Sequence, residues 1–186
     1  MNFKLLYLIF ISIYFKCNGQ LAVTLLAGSG TAGSNNAAGA SATFSSPSGV
    51  ALSSDGTYVL ITDYNTHIIR KLVITTTTVT FVAGQSGTAG SANGVGSSAQ
   101  FSNPQGIAIS SDSSFAIIAD LNTHFIRKLT ISTSTVSFIA GSSAGSSNGV
   151  GASAQFQYPH GVVISYDDSY AIVADTTNNQ IRKVVI

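Results

Sequence analysis

The sequence has no tryptophan and no glutamate, one cysteine, three prolines, and only 8% Asp, Glu, Lys and Arg. Each shortage excludes something. The one cysteine, Cys17, lies in the N-terminal leader, so the rest of the chain has no disulfide, no thiol nucleophile and no cysteine metal site. Its stability must come from packing. With the leader's Lys4 and Lys16 set aside, six basic residues (Arg70, Lys71, Arg127, Lys128, Arg182, Lys183) stand against seven aspartates, a net charge near −1. Three Arg-Lys pairs at even intervals form no single phosphate-neutralising patch, which argues against a nucleic-acid partner. Asn-x-Ser/Thr sequons are absent, so glycosylation offers no guide to surface exposure. No segment carries an amphipathic helical period of useful length.

What is present begins with a leader. Lys4 precedes an apolar run from Leu5 to Phe15, and small residues follow around Gly19. This is the pattern of a secretory signal peptide over residues 1–19, with Gln20 the first residue after cleavage; an uncleaved anchor is the alternative. The run falls short of the roughly 18 to 20 apolar residues of a membrane helix, and no later stretch approaches that length. The expectation is an extracellular protein, not inserted in a membrane after cleavage. Residues 20–186 are enough for one ordinary domain with a core of its own.

The rest of the chain repeats. PSGVALSSDGTYVLITDYNTHIIRKL begins at Pro47, PQGIAISSDSSFAIIADLNTHFIRKL at Pro104 and PHGVVISYDDSYAIVADTTNNQIRKV at Pro159, at offsets of 57 and 55 residues. The same spacing relates Phe44, Phe101 and Phe156, the aspartates Asp63, Asp120 and Asp175, and the arginines Arg70, Arg127 and Arg182. Internal repetition outranks local propensity in deciding the fold. The boundaries expected are about 20–84, 85–141 and 142–186.

Within the middle repeat, short β-branched and aromatic runs mark four strands, roughly Gly106–Ser110, Phe115–Asp120, His124–Ile131 and Thr135–Ala140. The connections between them are too short for anything but an antiparallel meander. A repeated four-stranded meander predicts an all-β protein of β-propeller blades, because each twisted sheet buries its faces only against its neighbours. Ala22–Ala27 reads as one further outer strand, and the last repeat holds three. Twelve strands make about three blades, fewer than the four to eight of a closed ring. The chain therefore reads either as part of a longer protein with additional repeats or as half of a six-bladed ring formed by a homodimer. The N-terminal strand would then complete the last blade of the larger ring.

The run Pro-Gln-Gly-Ile-Ala-Ile, then Ala-Ile-Ile-Ala-Asp120, then Asn-Thr-His124-Phe-Ile-Arg127-Lys128, resembles the NHL repeat. The linker Asn-Gly-Val-Gly-x-x-Ala-Gln-Phe is similar to that of one NHL subgroup. The resemblance covers nearly the whole chain after the leader. It implies a propeller scaffold; some NHL-like propellers are lyases or hydrolases with metal-bound histidines and carboxylates in the central channel.

Several motifs fail in context. Gly28-Ser-Gly30-Thr-Ala-Gly33 matches a dinucleotide fingerprint, but no helix follows to hold a pyrophosphate, and partly matching linkers recur at Gly84–Gly96 and Gly141–Gly151. Gly141-Ser-Ser143-Ala-Gly145 has nucleophile-elbow spacing, again without its helix. Asp63 with His67 and Asp120 with His124 could form carboxylate-imidazole pairs. They recur at the same turn in successive repeats, whereas catalysis needs unlike groups on one substrate, and Asn179 replaces the histidine in the third. They read as structural: Asp caps the hairpin, His or Asn supports it, and Arg70, Arg127 and Arg182 meet an aspartate or carbonyl between blades.

Subtracting the repeated positions leaves His160, where the other repeats have Ser48 and Gln105, and one of Asp167 and Asp168. That is thin for an enzyme. No cofactor is expected; a channel ion held by carbonyls stays open. The favoured reading is a secreted binding or scaffold module that meets a protein or glycan partner through the linkers Gly28–Ser46, Gly84–Asn103 and Gly141–Tyr158, with Tyr158 and His160 as candidate contacts. The alternatives are a channel-centred lyase or hydrolase completed by further blades or a second chain, and a fragment of a larger surface or adhesion protein.

Overall fold

The computed structural model of the chain describes residues 22–186. The predicted signal peptide lies outside the described residues. Three antiparallel sheets follow one another along the chain. The first is β1 (Pro47–Leu52), β2 (Tyr58–Asp63), β3 (Ile68–Val73) and β4 (Thr78–Gly84), paired in that order. The second contains β5 (Gly94–Val95), β6 (Pro104–Ile109), β7 (Phe115–Asp120), β8 (Phe125–Thr130) and β9 (Thr135–Ala140), ordered β5-β9-β8-β7-β6. The third is β10 (Pro159–Ile164), β11 (Tyr170–Asp175) and β12 (Gln180–Val185). The middle repeat thus forms its four strands within a residue or two of the expected bounds.

Two differences stand out. Ala22–Ala27 forms no strand, since among the described residues it pairs with no sheet edge. In its place the linker of the second repeat contributes β5, which pairs with β9 through Gly94–Val136 and Val95–Thr135. The first linker does the same in miniature: Ala38 bridges Thr78, and the Val79 amide donates to the Ala37 carbonyl at 2.8 Å. The first two linkers therefore run back along the outer strand of the sheet they lead into.

The turn between the first two strands of each sheet carries an aspartate. Asp112 accepts from the Ser114 amide at 2.9 Å and the Ser110 hydroxyl at 2.8 Å; Asp167 accepts from the Ser165 and Ser169 hydroxyls at 2.6 and 2.8 Å. Hydrogen bonds to the charged form depress a carboxyl pKa. The Ser114 amide chiefly holds Asp112, and the Ser165 hydroxyl Asp167, at about 2.

The innermost strands β1, β6 and β10 pack in succession, and two apolar cores lie between consecutive sheets. Leu60, Ile69, Phe101, Ile107, Ile118 and Leu129 fill the first gap. Ile117, Ile126, Phe156, Val162 and Val173 fill the second. Gly49 and Gly106 are required at these contacts, since a β-carbon would collide with the carbonyl oxygens of Gln105 and His160 respectively. This stacking makes the sheets blade-like: each buries its faces only against its neighbours.

Gly106→Ala should force the second and third sheets apart and destabilise the chain by about 1–3 kcal/mol, measured by urea unfolding. Asp112 and Asp167 should titrate near 2 in the native protein, against about 3.8 when unfolded. The unfolded chain binds more protons between these values, so this stabilisation is complete above about pH 4 and is lost as pH falls towards 2. Carboxyl-carbon NMR titration of Asp112 and Asp167 checks the midpoints, and Asp112→Asn should lower stability at pH 5 but not at pH 2.

Candidate functional site

The polar framework is best built from the aspartate at the end of each second strand. Asp63, Asp120 and Asp175 are wholly buried. One oxygen of each accepts a backbone amide from the end of the incoming linker: Ser45, Ser102 and Gln157, all at 2.7 Å. The other oxygen faces the arginine seven residues on, with Arg70, Arg127 and Arg182 at 3.2, 3.4 and 2.9 Å. Arg70 also donates to the carbonyls of Thr43 and Asn35 and to the side-chain oxygen of Asn36. Arg127 makes the equivalent bonds to Gln100, Ala92 and Asn93, and Arg182 to Gln155, Ser147 and Asn148. The flat guanidinium of each lies against Phe44, Phe101 or Phe156, 4.9 to 5.4 Å from the ring centre.

These bonds run within a repeat, from blade to linker, and not between blades as the sequence suggested. The reason is geometric: the linker folds back over its own sheet, so its carbonyls lie closer to the arginine than those of the next sheet. Burial is the dominant influence on the pair. It pushes the Asp120 carboxyl up to about 7 against the pull of the Ser102 amide, Thr123 and Arg127, and it lowers Arg127. Lys71, Lys128 and Lys183 point to the opposite face, each ammonium about 4 Å above the ring of Tyr58, Phe115 or Tyr170.

The histidines do something else. His67 and His124 occupy left-handed backbone (φ 62° and 63°) at the corner after the second strand, and Asn179 takes that conformation in the third sheet. His67 Nδ1 accepts the Asn103 amide of the next repeat at 3.1 Å, and His124 Nδ1 accepts that of Tyr158 at 3.2 Å. An accepting Nδ1 is unprotonated, and burial lowers both imidazoles in keeping with it. Asp and His of one corner are therefore committed to different partners. The histidines, not the arginines, tie one blade to the next.

Ser46, Asn103 and Tyr158 receive the chain at equivalent places and share left-handed backbone, with φ of 56°, 58° and 54°. Ser and Asn suit that conformation; a bulky Tyr does not. Tyr158 is nonetheless held there, 42% exposed, its ring edge-on to His124 at 4.9 Å between centroids. His160, two residues on at the start of β10, is exposed as well. The structure thus brings Tyr158 and His124 together where the second and third sheets meet. Among the described residues no three His, Cys, Asp or Glu side chains are grouped to hold a metal.

Asn36, Asn93 and Asn148 anchor the linkers to the arginines, yet much of each linker stays exposed, Ser29–Ala32, Gln85–Ala89 and Ser146–Val150 included. Those three asparagines were not singled out from sequence. Their signal was there: they recur at the same 57- and 55-residue offsets as the arginines they meet.

Three blade-like antiparallel sheets built from one repeat define an all-β repeat module. No protein-family model matches the chain. It is 30% identical over 159 residues to NHL repeat-containing protein 2 of Bos taurus, a match that takes in 80% of this chain and 22% of that protein. The chain therefore spans about a fifth of the length of the curated relative it matches. Among solved structures it resembles an auxiliary nutrient binding protein from Bacteroides thetaiotaomicron, with TM-score 0.66 and 27% identity, over 73% of this chain and 36% of the other. The fold is shared with an auxiliary nutrient binding protein from Bacteroides ovatus, with TM-score 0.65, 21% identity and the same coverage.

Arg127→Met leaves Asp120 buried without its guanidinium and should cost about 3–5 kcal/mol of stability. Arg182→Met should cost less, because Arg182 is 10% exposed and Asp175 keeps the Asn178 amide at 2.8 Å. Paired urea-unfolding curves measure both.

Proposed function

We propose that the chain is a secreted NHL-like propeller module that binds a protein or glycan partner at the rim around Tyr158 and His160. The observation that carries this reading is Tyr158 itself. Backbone strain that persists at an exposed aromatic, where sister repeats use Ser46 and Asn103, is the kind retained for function. The phenol offers a stacking face and a hydroxyl, held in place by His124 behind it. Tyr is favoured at interfaces because it gives large contact area with a polar handle at small entropic cost.

The structural likeness to an auxiliary nutrient binding protein supports binding over turnover. So does the commitment of the repeated aspartates and histidines to the framework, which leaves the rim with few titratable groups to share a reaction. The linkers act as the frame that fixes the rim, and their exposed stretches flank it.

Relief of the left-handed strain predicts an opposed pair of effects. Tyr158→Asn should stabilise the fold by about 1 kcal/mol, raising Tm, while binding to ligands found on glycan and extracellular-protein arrays drops at least about tenfold. His160→Ala should weaken the same ligands with Tm unchanged. Full binding by Tyr158→Asn, or no ligand captured by the wild-type chain, would remove the rim as the site.

A further inference from the structure

Equivalent residues have unequal burial along the three sheets, and the inequality has a direction. Ile69 and Ile126 are fully buried, but Ile181 at the same position in the third sheet is 74% exposed. Ile107 and Val162 are buried at 6% and 8%, but Val50 in the first sheet is 69% exposed. A β-carbon at Gly49 or Gly106 would collide with the next sheet, while at Gly161 the nearest atom is Ala174 Cβ at 3.8 Å. The third sheet thus presents an uncovered trailing face and the first an uncovered leading face, each built like the faces that meet inside the chain.

The third sheet also has an open edge. β3 and β8 are flanked on their outer side by β4 and β9, with Leu72 opposite Val79 and Leu129 opposite Val136. Among the described residues β12 has β11 alone. Between β12 and the linker at Asn148–Gly151 lies a groove of about 320 Å³ whose walls include Ala154, Phe156 and Val184. Val150, whose counterpart Gly94-Val95 segment pairs with β9, is 92% exposed.

The segment that fits this groove is in the same sequence. Ala22-Val-Thr-Leu-Leu-Ala-Gly28 aligns residue for residue with Thr78-Val-Thr-Phe-Val-Ala-Gly84 of β4 and Thr135-Val-Ser-Phe-Ile-Ala-Gly141 in β9. Val79 and Val136 at its second position are 1% exposed; Val23 is 102% exposed and unpaired. The segment already lies beside the first sheet, where Thr24–Ala27 border Phe44, Val50 and Ile61. β4 lies in that relation to the second sheet, with Val82 and Ala83 in the core beside Phe101 and Ile107. A second copy of this chain offers both the missing strand and a matching face behind it.

We propose that a second copy of this chain docks head to tail. Its residues Ala22–Ala27 add to β12 as the outer strand, Val23 opposite Val184 and Thr24 opposite Lys183, and its first sheet covers Ile181 and Gly161. The same contact made reciprocally closes a two-copy ring of six blades. With two copies the head-to-tail contact is made twice about one two-fold axis, so Val23 of each copy meets Val184 of the other and the particle closes; closure also removes the exposed strand edge. This assembly does not depend on the Tyr158 rim.

The test is light scattering after size exclusion on residues 20–186, which contain all three sheets, with circular dichroism on the same peak. The wild-type chain should run as two copies. Val23→Asp removes the donated strand, and Ile181→Asp the receiving face; both side chains are exposed in one chain, so each variant should stay β-rich yet associate at least about 100-fold more weakly. Gly161→Ala, harmless within one chain, should also yield monomer, its methyl meeting the Ser48 carbonyl of the second copy. An equimolar mixture of Val23→Asp and Ile181→Asp retains one intact junction and should recover part of the dimer, which a symmetric face-to-face contact would not. A monomeric wild type, or particles of any other size, would overturn the two-copy ring and leave the open faces to further repeats or another protein. A dimer indifferent to all three substitutions, or a mixture with no recovery, would overturn the head-to-tail contact.

Discussion

Everything else in this chain hangs on a buried aspartate and an arginine seven residues later, repeated once per sheet. The residues after the leader carry little charge, and nearly half of it is placed in these three pairs. Desolvating two charges is costly, and their attraction repays the cost only when the remaining donors and acceptors are met. The linker meets most of them, with a backbone amide for the carboxylate and two carbonyls and an asparagine for the guanidinium, while the Nε of Arg70 and of Arg127 is left buried without a partner. The pair therefore does more than join two strands of a hairpin. It converts a glycine- and serine-rich segment with no apolar face into a fixed part of the sheet that follows it.

The fixed linker then governs how the sheets stack. It returns along the outer strand in the first two sheets and in all three delivers Phe44, Phe101 or Phe156 beneath the guanidinium, so each sheet reaches its neighbour with the same aromatic already in place. His67 and His124 add a direct bond from one sheet's corner to the residue that enters the next sheet's first strand. In such an array, stability is close to a sum of blade terms and nearest-neighbour terms. An uncovered end forgoes one neighbour term, which is visible as Ile181 and Val50 standing in water where their counterparts are buried.

Departures from the repeat gather at the junction of the second and third sheets. Tyr158 and His160 replace small or amide residues at a corner whose backbone demands neither, and they do so at the one junction where His124 can brace an aromatic ring. The third sheet also exchanges the corner Thr and His for Asn178 and Asn179, which keeps the turn while removing an imidazole. The framework is uniform and the rim is not.

The repeat, the all-β class and the strand bounds in the middle sheet were legible in the sequence, and so was the recurrence of Asp63, Asp120, Asp175 and their arginines. Their partners were not: each aspartate takes a linker amide where a hairpin cap was expected, and each arginine bonds within its own repeat. Periodicity of two and an identical spacing are properties of the chain alone. The Asn36, Asn93 and Asn148 anchors shared that spacing, yet an asparagine in a polar linker carries no sign of what it will meet. The partner of each histidine and the left-handed backbone of Tyr158 depend on how one sheet sits against the next. So does the fate of Ala22–Ala27, which has an outer strand's sequence and no strand's structure, because a β-strand exists only where another edge supplies its hydrogen bonds. Local pattern determined what each segment could become, and the availability of a neighbour decided whether it did.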